Sequence, residues 1–366
     1  MTLLVLLACT GGDGTGGPDG VAPVVSSIVY DDSSDRDGYM EIEVEVTDAV
    51  DVFQVVTKRK GGLISTDYLY GPDGETILDW EDWYDSKYSL TECFFPSEHA
   101  STFNWPVRAE DGPLQPGTYT VAISTLTNSY GYSGNEDVEV EILTRSDANA
   151  DRGSLRAVIA YAEGVRDPDV EAGVEAAADY WQDLYGDAGI SLTYEFSDIE
   201  VDPELPDTYE GVDEYVSWLE SHGERVILVV VGETIADDET LYGEAGGIPG
   251  PYTATEHSAV EVSWLANAGS DGRFSESDIL LFGETMAHEV GHYLGMFHPV
   301  EWNYDYWDAL DDTDDCTSWG ACDRELGENL MYPYPVCESM STTSCVRQSN
   351  LTDDQLGVAQ RYVGVE

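Results

Sequence analysis

Basic residues are scarce in this 366-residue chain: 15 lysines and arginines stand against 73 acidic residues, and the lysines are only Lys58, Lys60 and Lys87. The formal net charge of −58 repels phosphate backbones, which bind proteins that neutralise them with basic side chains. Nucleic acid is therefore excluded as a partner. Most of the carboxylates are explained by a solvated surface suited to high salt, and a few could instead serve Ca²⁺.

Long apolar runs are also missing. After the first residues no run approaches the roughly 18 apolar residues of a membrane-spanning helix, so none is expected. Apolar residues still make up 42% of the chain and aromatics 11%, which excludes wholesale disorder. The length predicts two domains, each with its own core.

The first 21 residues resemble a bacterial lipoprotein signal followed by a Gly-rich tether. An apolar run ends at Ala8-Cys9, although no basic residue precedes it and the run is short. We expect lipidation of Cys9, with a plain secretory remnant as the alternative. Either case predicts a secreted or cell-envelope protein that meets a membrane only through a lipid anchor.

Cysteines are few and unevenly placed. Four of the six cluster near the C-terminus, which predicts two local disulfides and an oxidising compartment. The sequence does not choose among the three connectivities of Cys316, Cys322, Cys337 and Cys345. Cys93 is left over, and we expect a buried, inert thiol rather than a latency switch.

Residues 22–145 show the period-two pattern of strands with one buried face. Apolar Met40, Ile42 and Val44 alternate with glutamates, and the same alternation recurs near residues 119–123 and 138–142. This predicts an all-β, immunoglobulin-like sandwich. The polar stretch 146–154 is the expected linker.

Beyond the linker, strand and helix patterns alternate, which is typical of an α/β unit in residues 155–366. Asp167-Pro168 opens a helix, and the Gly- and Pro-rich segment 241–252 fits either an edge strand or a loop. The other predicted elements are strands at 155–162, 226–231 and 259–264, a helix at 212–219, and a second helix that begins at the capping box Ser275-x-x-Asp278.

The segment HEVGHYLGMFH, residues 288–298, carries the chemistry. His288 and His292 are four residues apart on one face of a predicted helix, so both imidazoles can reach one metal ion. Gly295 permits a left-handed turn that brings in His298. Three protein ligands leave the fourth position of tetrahedral Zn²⁺ open for water, and Glu289 is placed to act as the general base.

This segment matches the metzincin motif H-E-x-x-H-x-x-G-x-x-H, and Asn329-Leu-Met-Tyr-Pro333 resembles the Met-turn of those zinc peptidases. The run from Asp308 to Thr313 resembles that of pappalysin-like members, whereas the Met-turn itself is closer to that of matrixins. Pro333 occupies the place of a metal-side tyrosine. Tyr332 or Tyr334 could substitute for it, or both could be packing aromatics.

The resemblance implies a metzincin-type zinc endopeptidase that acts on extracellular or envelope proteins. It also implies that Met331 forms a hydrophobic floor, and that segment 241–252 binds an extended peptide substrate as an added strand. Two alternatives remain: an inactive adhesion or binding lipoprotein, and a zinc hydrolase of a non-peptide amide. Oligomeric state is not predicted.

The acidic loop after the zinc motif is a candidate for a second metal site. Six aspartates lie between Asp305 and Asp315, and hard oxygen ligands at close spacing suit Ca²⁺. We expect Asp308, Asp311 and Asp312 to be calcium ligands, with a solvated acidic loop as the alternative.

Overall fold

The computed structural model describes residues 24–84, 86–128, 131–146, 153–208, 211–268, 273–336 and 345–366. The lipoprotein-like segment with Cys9, and most of the predicted linker, lie outside these residues. Within the described part of the chain, no helix combines the length and the apolar character needed to cross a membrane.

The N-terminal region is built from strands, as the alternation of its sequence predicts. Met40, Ile42 and Val44 are buried, whereas the glutamates between them are exposed. The elements are β1 (Val24–Ser33), β2 (Tyr39–Val46), β3 (Val52–Tyr70), β4 (Thr76–Asp79), α1 (Trp80–Tyr84), β5 (Tyr88–Ser89), β6 (Ser97–Trp105), β7 (Gly117–Asn128), β8 (Gly131–Tyr132) and β9 (Asp137–Ser146).

All of these strands except β5 are hydrogen-bonded into one antiparallel sheet, which we call the N-terminal sheet. The long strand β3 changes partners in the middle: residues 52–58 pair with β9, and residues 63–70 pair with β7. Between them Gly61 and Gly62 have φ of +74° and +73°, a left-handed backbone that favours glycine. The all-β prediction is confirmed, but the immunoglobulin-like sandwich is not, because the strands form one continuous sheet rather than two separate ones.

The α/β region follows, with the alternation of strands and helices that the sequence predicts. Its elements are β10 (Gly153–Tyr161), α2 (Pro168–Asp187), β11 (Ile190–Asp198), β12 (Glu204–Leu205), α3 (Asp213–His222), β13 (Ile227–Gly232), β14 (Thr234–Ile235), β15 (Gly243–Ala245), β16 (Val260–Ser263), α4 (Trp264–Asn267), α5 (Glu276–Tyr293), β17 (Trp307–Asp308), α6 (Trp319–Glu325) and α7 (Asp353–Gln360).

The main sheet of this region has the order β11-β10-β13-β16-β15. The first four strands are parallel, and β15 runs antiparallel to β16 at the edge. The segment 241–252 therefore contains an edge strand, the first of the two predicted alternatives. Helices α2 and α5 pack against each other and against this sheet, and the Tyr185 hydroxyl donates to the Ala287 carbonyl at 2.9 Å.

The N-terminal sheet packs directly on the α/β region, and one continuous hydrophobic cluster includes residues of both. Three buried polar side chains of the sheet bind backbone groups of the α/β region. Gln54 donates to Gly250 O at 3.2 Å and accepts from Tyr252 N at 2.8 Å. Asn104 bonds the backbone of residues 361 and 363, and Arg145 donates to the carbonyls of residues 360 and 362. These bonds satisfy backbone groups that would otherwise be buried without partners.

Candidate metal centre

Helix α5 carries the first two histidines, and its start is defined by a capping box. Ser275 Oγ accepts from Asp278 N at 3.3 Å, and Asp278 accepts from Ser275 N at 2.8 Å, as the sequence predicts. Four residues separate His288 from His292, so their rings lie on one face of the helix.

A glycine turn at the end of α5 delivers the third histidine. Gly295 directly follows the C-cap Leu294 and has φ of +103°, the left-handed conformation that the sequence predicts for it. Met296 N donates back to Gly291 O at 3.0 Å, which closes the turn. The chain then reverses so that the His298 ring faces the other two.

The three Nε2 atoms converge. The distances are 3.1 Å from His288 to His292, 3.0 Å from His292 to His298, and 3.3 Å from His298 to His288. Zinc–nitrogen bonds of 2.0–2.1 Å at a tetrahedral angle place ligand nitrogens about 3.3 Å apart. The donor set and its spacing therefore fit Zn²⁺. Among the described residues, these three histidines form a cluster of possible metal ligands whose donor atoms all lie within 4.8 Å of one another.

The other ring nitrogen of each histidine has its own acceptor. His288 Nδ1 lies 2.6 Å from Leu330 O, and His292 Nδ1 lies 2.7 Å from Met296 O. His298 Nδ1 lies 3.1 Å from a carboxylate oxygen of Glu301. A proton on each Nδ1 satisfies these acceptors and leaves the Nε2 lone pairs directed at the metal position.

Sequence reasoning missed these supporting groups. A carboxylate three residues after the last ligand was a readable signal for Glu301, but the Leu330 carbonyl was not, because it is brought in by the fold. Burial, reinforced by the neighbouring His298, lowers the pKa of His288 to about 3, so its imidazole is neutral, the form that binds metal.

Met331 is fully buried next to α5, in the position expected of a floor. A Cβ added at Gly291 would lie 2.6 Å from the Met331 sulfur, so only glycine fits between the helix and this turn. Asn329 holds the turn: its side chain accepts from Met331 N at 2.8 Å and donates to Gln355 of α7 at 2.8 Å.

The side chain of Glu289 extends from α5 to the edge strand β15. A Cβ at Gly243 would lie 2.5 Å from Glu289 Cγ, so the carboxylate side chain is in contact with β15. Burial, and then the charge of Glu244, raises the pKa of Glu289 to about 8. A buried carboxyl beside three convergent histidines can exchange a proton with a water held at the metal position.

The calcium expectation is not supported. Asp308, Asp311 and Asp312 do not form a group of converging ligands among the described residues. Asp308 instead accepts from Thr313 Oγ1 at 2.5 Å, and Asp312 accepts from Asp354 N at 2.9 Å, at the start of α7. The carboxylates are used separately, for a local turn and for the N-terminus of a helix.

The tyrosines after Met331 bond away from the histidines. Tyr332 donates to Asp323 at 2.8 Å, and its oxygen lies 3.1 Å from that of Tyr334, which lies 2.5 Å from the Tyr304 hydroxyl. Tyr332 belongs to a small core with both Cys316 and Cys322. The packing alternative is therefore the one that the contacts favour.

One predicted disulfide joins Cys316 to Cys322. Cys345 is disulfide-bonded as well, and Cys337 lies outside the described residues. Cys93 is a buried free thiol in the N-terminal region, and burial raises its pKa to about 12. An inert Cys93, as predicted, is consistent with this environment.

Neither protein-family models nor curated proteins match this sequence. Among solved structures, the chain is similar to archaemetzincin from Methanopyrus kandleri, with 13% identity and a TM-score of 0.32 over 59% of this chain and 97% of that one. It is also similar to metalloproteinase-II from Bacteroides fragilis, with 12% identity and a TM-score of 0.34 over 61% and 62%. The functional assignment therefore rests on the geometry of the metal centre.

Proposed function

We propose that this protein is a zinc-dependent endopeptidase of the metzincin type that cleaves extracellular or envelope proteins. The observation that supports this most is the convergence of three histidine Nε2 atoms at 3.0–3.3 Å beside the buried Glu289. A zinc ion held by His288, His292 and His298 would lower the pKa of a bound water to about 7 and polarise the scissile carbonyl.

The side chains of this protein supply the proton transfers and the positioning. Glu289 accepts a proton from the attacking water and returns it to the leaving amine. The edge strand β15, in contact with Glu289, offers outward backbone groups to an extended peptide, which binds as an added strand. The carbonyls of Leu330 and Met296 and the carboxylate of Glu301 keep the rings in place.

Within the metzincins we place the protein near the pappalysin-like peptidases, with a matrixin-like affinity as the alternative. The run from Asp308 to Thr313 supports the first, and the Met-turn, which ends in Pro333, supports the second. We also propose that it is exported and anchored through Cys9. Intact mass of the natural protein tests this anchor.

Casein hydrolysis tests the proposed function. Purified protein should cleave casein, lose this activity with 1,10-phenanthroline, and regain it with Zn²⁺. His298→Ala should lower the bound zinc because two nitrogens hold the ion far less tightly than three. Glu276→Gln, on the exposed first turn of the same helix, is the matched control and should keep both metal and activity.

Two outcomes would contradict the proposal. Full zinc occupancy without hydrolysis of casein or peptides would favour a binding protein or a hydrolase of non-peptide amides. Chelator-resistant cleavage would separate the activity from the metal centre.

A further inference from the structure

A cleft of about 500 Å³ lies where the N-terminal sheet meets the segment that follows β15. One wall comes from residues 92–102 of the N-terminal region, and the other comes from residues 245–249. Neither region forms the cleft alone. The histidine ligands and Glu289 are not among the residues that line it.

Polar contacts hold the two walls together. Glu92 N donates to Ile248 O at 2.8 Å, and Ile248 N donates to the Glu92 carboxylate at 3.0 Å. The ring nitrogens of buried His257 each lie 2.7 Å from a carbonyl oxygen, one of Thr208 and one of Glu98. The cleft is therefore a built feature with walls fixed in position.

The cleft continues the path of the edge strand. Tyr242 and Gly246 bond inward to β16, through Ser263 N to Tyr242 O and Gly246 N to Ala259 O, both at 2.9 Å. The alternate residues Gly243 and Ala245 therefore turn their backbone groups outward. Thr208 Oγ1 already lies 3.4 Å from Ala245 O, so an added strand would leave β15 at this point and enter the cleft.

The direction of an added strand decides which part of a substrate reaches the cleft. Antiparallel pairing is the more stable arrangement, so the peptide would run opposite to β15. Glu289, which marks the scissile bond, lies against Gly243, and the cleft begins two residues later and extends to Pro249. The residues of the substrate that precede the scissile bond by about three to five positions would then lie over it.

The lining defines the side chain that fits. Phe95, which is 53% exposed, provides an apolar surface together with Pro96, Ile248 and Pro249. The described lining residues include the carboxylates Glu92 and Glu98 but neither lysine nor arginine. An apolar stem with a cationic head matches this surface, whereas an acidic side chain is repelled.

We propose that this cleft is a substrate subsite shared by the two regions, which selects an arginine or lysine three to five residues before the scissile bond. The proposal rests on the peptidase function proposed above. It makes the N-terminal region a specificity element and Phe95 and Glu98 specificity-determining residues.

The test is digestion of a proteome-derived peptide library by the full protein, with cleavage sites mapped by mass spectrometry. We expect enrichment of Arg and Lys at the third to fifth residue before the scissile bond and depletion of Asp and Glu there. Glu98→Gln should reduce the basic preference by about threefold, the size of an exposed ion pair, and 1 M NaCl should have a similar effect on wild type. Phe95→Ala should weaken the preference as well, by removing contact with the stem.

Glu43→Gln, on the exposed face of β2, removes the same charge elsewhere and should leave the cleavage profile unchanged. Equal cleavage with any residue at those positions, an apolar preference in place of a basic one, or a basic preference that Glu98→Gln does not alter would overturn the subsite while the peptidase function stands. Absence of chelator-sensitive cleavage would overturn the peptidase function, and the subsite with it. A melting curve of each variant checks that it is folded.

Discussion

The three histidine ligands of the metal centre lie within one short segment, residues 288–298, whereas residues that meet between the N-terminal sheet and the α/β region are far apart in the chain. His292 and its acceptor Met296 are four residues apart, and His298 and Glu301 are three apart. Gln54 and Gly250 are separated by 196 residues, and Asn104 and Arg361 by 257. Local geometry thus supplies the chemistry, and long-range contacts supply the shape around it. Variants in the two places should therefore fail differently.

The largest effect is expected at the metal centre, without loss of the fold. Glu289→Gln should keep bound zinc and lower kcat/KM by about 10²–10⁴-fold, because the ligands remain while the general base is lost. Zinc content and casein hydrolysis, measured on the same sample, check this. Activity within a few-fold of wild type would refute the role of Glu289.

At Arg145, in contrast, we expect a substitution to lower the stability of the fold while the metal centre stays intact. Arg145→Met removes the charged donor of the Gln360 and Tyr362 carbonyls, at a cost of about 3 kcal/mol. The Tyr362 carbonyl keeps its bond from Val365 N. Thermal unfolding should show a lower Tm for the whole molecule, with zinc still bound below the transition. Arg36→Met, at an exposed arginine, is the control and should change Tm little. An unchanged Tm in Arg145→Met would show that this contact does not hold the two regions together.

A substitution at Asp308 tests whether the carboxylates of the acidic loop act separately rather than as one metal site. Burial raises its pKa to about 7, and its Oδ2 has no hydrogen-bond partner among the described residues. Because the folded pKa lies above the unfolded one, this group's stability contribution is present at low pH and is lost as pH rises through about 7. Wild type should lose about 2 kcal/mol relative to Asp308→Asn between pH 5 and pH 7.

Chemical denaturation across this pH range measures the difference. Exposed Asp311→Asn should show the wild-type slope. Parallel pH curves for wild type and Asp308→Asn would contradict the assignment, and a gain in stability with Ca²⁺ that NaCl does not reproduce would restore the calcium hypothesis.

The smallest effect is expected at Glu301, which supports a ligand without being one. Glu301→Gln should weaken zinc binding by about tenfold, because the His298 ring loses a charged acceptor. Competition with a zinc chelator of known affinity measures this, and Asp305→Asn in the same loop is the control. An unchanged affinity would mean that Glu301 does not orient His298.

The same division explains how much the sequence could predict. The capping box at Ser275, the helix start at Asp167-Pro168 and the turn at Gly295 depend on neighbouring residues, and the structure confirms all three. The order of the sheets depends on contacts between distant segments. No local pattern showed that β3 would change partners at Gly61–Gly62, and the immunoglobulin-like interpretation followed from strand alternation alone.

The calcium prediction is not supported, and the reason is again that it depended on contacts between distant segments. Clustered aspartates have the same local pattern whether they converge or diverge, and the direction of each side chain is decided by what packs around it. Asp312 bonds α7, whose position more than 40 residues later was not predictable from the loop. The Leu330 carbonyl, 42 residues from His288, escaped for the same reason.

The tight contact at Gly291 has a kinetic consequence. Met331 presses on the helix between the two histidines, and the neighbouring Leu330 carbonyl holds His288, so helix and turn cannot move independently. The turn stands at the end of the loop that begins after His298. We therefore expect that loosening this loop, by reduction of the Cys316–Cys322 bond or by cleavage within the loop, also displaces the histidine ligands. If the proposed Zn²⁺ is bound, we expect its rate of release, followed with a fluorescent chelator, to rise when that loop is loosened.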